Sequence, residues 1–152
     1  MPLSRKDLTH ITKYEDFFEL RQRVAKECPE RLAEFLLNTA TTNLGDKADG
    51  VAGRLLIELE PKCPFSCEQV LELVSKSNWN VSYKELPFYL ISQFGKWNVL
   101  LATERFANSA SPGEQRSRVE GISYWARMPT SELAKPLHYW EWQEVIEGEG
   151  DA

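Results

Sequence analysis

A chain of 152 residues has the length of one domain, and 42% apolar residues are enough to build a core. Eighteen basic against 23 acidic residues leave a net charge of −5. That balance disfavours non-specific attachment to nucleic acid or anionic lipid and suits a protein partner with a basic surface.

The first twelve residues are polar and read as a flexible leader, ahead of a single all-α domain over 13–146 and an acidic flexible tail over 147–152. Tyr14, Phe17, Phe18, Arg21, Val24, Ala25 and Cys28 recur at helical spacing, and Pro29 can occupy the first turn of the next helix. That second helix carries Leu32, Phe35, Leu36 and Ala40. Gly45, Asp46, Asp49 and Gly50 then form a loop, with Asp49 expected as the cap of a helix from about Val51 to Glu60.

Ser66 and Gln69 have the spacing of a capping box and open a fourth helix containing Cys67, Val70, Leu71 and Val74. Ser82 and Glu85 repeat that spacing. Pro87 lies inside the following segment, so a kink or a delayed start is expected there. Tyr83, Leu86, Pro87, Leu90, Ile91 and Phe94 share one face, Gly95 stops the helix, and another follows from about Asn98. This stretch, 82–106, is the clearest amphipathic hairpin. A seventh helix spans about Glu114 to Met128, and mid-helix Gly121 implies close packing against a neighbouring helix. The segment 137–146 fits a helix through Tyr139, Trp142 and Ile146, with a strand as the alternative.

An offset of 35 lays Val51, Leu55, Leu56 and Leu59 on Leu86, Leu90, Ile91 and Phe94; an offset of 34 lays Phe88, Leu90, Ile91 and Phe94 on Ile122, Tyr124, Trp125 and Met128. Over residues 30–128 the architecture resembles HEAT-like and related α-hairpin families, without the residue patterns of tetratricopeptide or ankyrin repeats. The expected fold is all-α: antiparallel helical hairpins stacked as a short HEAT-like right-handed array or a compact helical bundle.

Three cysteines, no apolar leader and no long apolar run suit a reduced, cytoplasmic protein. Cys63 and Cys67 have no histidine nearby, so no metal site is expected, and no glycine-rich phosphate loop or other cofactor signature is present. The function expected is a small acidic helical protein-protein interaction module. Its partner-binding candidates are Trp140, Trp142, Tyr139, His138, Glu141 and Glu144, where aromatic anchors alternate with acids. Two alternatives are an immunity- or inhibitor-type protein masking a basic toxin or nuclease site, and an enzyme using His138 or clustered carboxylates.

Overall fold

The computed structural model describes residues 3–11, 13–109 and 112–129, and every regular element among them is an α-helix. In order these are α1 (Arg5–Thr9), α2 (Tyr14–Val24), α3 (Pro29–Ala40), α4 (Ala48–Leu59), α5 (Cys67–Lys76), α6 (Glu85–Phe94), α7 (Lys96–Ala107) and α8 (Gly113–Ala126).

The organising element is α4 rather than the 82–106 hairpin. It packs against α1, α2, α3 and α6. Ala48, Val51, Ala52, Leu55 and Leu56 are all fully buried, which is the signature of a helix enclosed on most sides. Each leucine so enclosed contributes roughly 1.5–3 kcal/mol over leaving it in water. On the other side of the molecule, α5 and α6 both pack on α7 and α8, while α6 also meets α4. Thus α6 meets both α4 and α8, the helices that the offsets of 35 and 34 lay against it in sequence.

Local chemistry explains most boundaries. Ser66 accepts from the Gln69 N–H at 3.1 Å, and the Gln69 side chain accepts from the Ser66 N–H at 2.8 Å, so α5 opens with the reciprocal cap its sequence implies. Pro29 is the first residue of α3. Pro87 is the third residue of α6, because the helix starts late at Glu85. Its missing N–H falls among donors that have no intrahelical acceptor anyway. Ser82 accordingly does not cap this helix; its N–H donates to the Asn80 side chain in the preceding turn.

Several expectations need correcting. The leader contains α1, with Leu8 fully buried, and Arg5 forks onto Asp46 at 2.7 and 3.1 Å. The apolar signal there is sparse: Leu3, Leu8 and Ile11 are spaced among polar and charged residues. In α2 the buried face is Phe17, Leu20 and Val24, and Phe18 points outward. Asp49 lies inside the first turn of α4, not at its cap. Gly95 has φ 87 and ψ 146, a positive-φ conformation that favours glycine but is not left-handed helical, and α7 begins immediately after it, at Lys96 rather than Asn98.

Candidate functional site

The site is built on the last described hairpin. Val99, Ala102 and Thr103 of α7, and Val119, Ile122, Ser123 and Ala126 of α8, are buried. Lys96 Nζ donates to the Met128 carbonyl at 3.2 Å, which places the start of α7 beside the end of α8 and fixes an antiparallel register. A cation at a helix C-terminus also suits the helix dipole.

α8 is held firmly from behind. Arg118 donates to the Ser75 carbonyl at 2.7 Å near the end of α5. Trp125 Nε1 donates to the Val81 carbonyl at 3.0 Å, and its ring meets Phe88 and Tyr124 edge-on. Trp79 is buried in the same region, though its surroundings in the sequence are polar. A methyl group on Gly121 would lie 3.1 Å from the Trp79 ring and 3.2 Å from Val81 Cβ. Gly121 thus permits a close approach, to the 79–81 loop and not to a helix.

The opposite face of the hairpin is open. A groove of about 680 Å³ runs between Leu100, Thr103, Glu104 and Ala107 on α7 and Arg116, Val119, Glu120, Ser123, Tyr124 and Arg127 on α8, ending at Met128. Those positions recur at helical spacing along facing sides of the two helices. Thr103, Val119 and Ser123 form the floor. Tyr124 in the lining is 58% exposed, and Leu101 and Trp97, three residues before the lining Glu104 and Leu100 on α7, are 49% and 74% exposed. Lys96 Nζ lies 5.9 Å from the Trp97 ring centre, a favourable cation–π placement.

Charge along the groove is ordered. With Lys96 level with Met128, Glu104 and Glu120 face each other near mid-groove, Arg116 sits at the loop end and Arg127 at the open end. None of these four makes an ion pair among the described residues. The sequence reading missed this surface. Its signal was an α7 apolar on two faces, with Trp97, Leu100 and Leu101 left over once Val99 and Ala102 had filled the core.

Other chemistry-bearing groups lead elsewhere. Burial raises the Cys63 thiol and pushes Cys67 up to about 11, so both rest as unreactive thiols. Asp49 is raised by its burial and accepts the Gly50 N–H at 3.0 Å, a helix-terminus contact. His10 lines a second cleft, of about 560 Å³, with Lys6, Asp16 and Glu19, beside the Arg23–Asp7 ion pair at 3.6 Å. No group of three His, Cys, Asp or Glu among the described residues could hold a metal ion, and no described helix is long and apolar enough to cross a membrane. His138, Tyr139, Trp140, Glu141, Trp142 and Glu144 all lie outside the described residues.

Comparison with protein-family models, curated proteins and solved structures found no match for this chain.

Proposed function

We propose that this chain is a protein-binding module whose docking surface is the α7–α8 groove, and that its partner presents a short amphipathic helix. The single observation that carries this reading is an open apolar trough rimmed by an ordered set of charges that make no ion pair among the described residues. From Arg116 to Arg127 the trough is about 16 Å long, matching three turns of a docked helix. Apolar residues at i, i+4 and i+7 of that helix would reach the floor of Thr103, Val119 and Ser123. A basic residue at its centre would meet Glu104 and Glu120, with acids at its two ends meeting Arg127 and Arg116. Exposed aromatic and aliphatic side chains at the open end supply the anchors that dominate binding energy.

The test uses a designed helical peptide of about 15 residues with that apolar spacing and an acid–base–acid charge order. A second peptide has every charge inverted. The full chain should bind the first at least about tenfold more tightly than the second, a difference that falls steeply with salt. Equal affinity for the two would remove the reading.

A further inference from the structure

Resting on that reading, we infer that the helix seated in the α7–α8 groove is α8 of a second copy of this chain, the two copies pairing about a two-fold axis. Lys96 at the start of α7 is bonded to the Met128 carbonyl just past α8. Four residues inward along each antiparallel helix, Leu100 comes level with Tyr124, and four residues further Glu104 comes level with Glu120. All four line the groove. On α8, Glu120, Tyr124 and Arg127 follow at i, i+4 and i+7 and form one stripe.

A contact between two identical copies sets the same patch on both sides, so its charges attract only where opposite signs lie equally far from the axis. The α8 stripe has that property. The midpoint of Glu120 and Arg127 falls between Ser123 and Tyr124, about 5 Å of helix rise from each charge. An axis there runs the two α8 helices antiparallel and sets Arg127 of each copy against Glu104 and Glu120 of the other. These three groups make no ion pair among the described residues. Each copy thus supplies the central base, and the acid opposite Arg127, that the groove of the other calls for.

The surface around the axis is apolar and suits close packing. Leu100, Leu101 and Tyr124 surround it, the last two exposed. The floor asks for no polar partner: the Thr103 and Ser123 hydroxyls donate to the Leu100 and Glu120 carbonyls of their own helices at 2.8 and 3.0 Å. A second self-complementary register would set Arg116 against Glu120. It centres on the loop end of the groove and leaves Leu101, Tyr124 and Trp97 in water, so burial of apolar surface selects the first.

The experiment is sedimentation equilibrium of the full chain over a range of concentrations. The wild type should pass from the chain mass of 17.5 kDa to twice that mass, with the transition moving to higher concentration as salt is added. Arg127→Glu and Glu104→Lys/Glu120→Lys should each need at least about tenfold more protein to dimerise. An equimolar mixture of the two variants should recover the wild-type dimer, because the reversed charges complement one another, and that recovery also shows both variants folded. Arg116→Glu should dimerise as the wild type does. A wild type that stays single up to roughly 100 μM, a mixture that fails to recover, or an Arg116→Glu chain as impaired as Arg127→Glu would each overturn the inference. A single chain that binds the charge-ordered peptide overturns this inference and leaves the docking reading in place. A dimer that passes the mixing test and that excess peptide does not dissociate upholds the inference and removes the reading of a foreign helix.

Discussion

Lys96 and Met128 tie the two ends of the last hairpin together: the ammonium of the first residue of α7 donates to a carbonyl just past α8 at 3.2 Å. That bond sets which side chains face one another across the groove, and so it sets the charge order on which the functional reading depends. Lys96→Met keeps the apolar stem and removes the donor. Chemical denaturation should show a loss of about 1 kcal/mol, the usual net worth of such a bond. Binding of the charge-ordered peptide should weaken as the open end of the groove loosens.

Gly121 sets the distance between α8 and the 79–81 loop. In an exposed helix Gly→Ala would add about 1 kcal/mol of stability. Here the added methyl would press on Val81 and the Trp79 ring at 3.2 and 3.1 Å. Gly121→Ala should therefore give no gain in thermal denaturation. Gly121→Val should cost roughly 1–3 kcal/mol, as overpacking does. A stabilised Gly121→Ala protein would show that the loop yields freely.

The acidic limb of the stability curve has two opposing parts. Burial holds the Asp49 carboxyl above its ordinary 3.8, so the folded state binds that proton more tightly than the unfolded chain. This group adds stability as pH falls from neutral through its raised value. Asp46, held low by the Arg5 hydrogen bonds, and Asp7, held low by the Ser4 N–H, run the other way. Their contribution is complete above 3.8 and disappears as pH falls through their lowered values. Asp49→Asn keeps an acceptor for the Gly50 N–H and removes the charge. Relative to wild type it should be most favourable at pH 7, with the difference shrinking towards pH 4. Urea denaturation at a series of pH values checks this, and a difference that does not change with pH contradicts it.

Apolar residues in this chain divide into those that hold the fold and those that do not. Leu56 is fully buried in α4, and Leu56→Ala should cost roughly 2–5 kcal/mol. Trp97 and Leu101 are exposed on α7 beside the groove's lining, and their alanine variants should change stability by no more than about 0.5 kcal/mol. The same two variants should weaken peptide binding. Large losses of stability at Trp97 or Leu101 would mark them as fold residues.

Much of the fold was legible where the signal is local. The Ser66–Gln69 cap, Pro29 at the start of α3, the late start before Pro87 and the helical class all follow from side chains acting within one turn. What was not legible depends on distant partners. Arg5 meets Asp46 across 41 positions, and Trp125 meets Val81 across 44. Nothing beside them in the sequence announces either contact. In α2, Phe18 and Leu20 are both apolar, and packing that includes α4 buries Leu20 with Phe17 and Val24 while Phe18 stays outside. The candidate site failed to show for a related reason. The sequence has aromatic and acidic residues concentrated at 138–144, while the groove becomes visible only when two helices from different stretches are set side by side.

The central claim is that the α7–α8 groove is a docking surface for a helix. It is tested most directly by two-dimensional amide spectra of the full chain titrated with the charge-ordered peptide. Saturable shifts should concentrate at Leu100, Thr103, Val119, Ser123 and Tyr124, with Arg116 and Arg127 marking the two ends, and should be lost in Leu101→Glu/Tyr124→Glu. Shifts that gather instead around Lys6, His10 and Arg23, or that persist unchanged in the double variant, would contradict it.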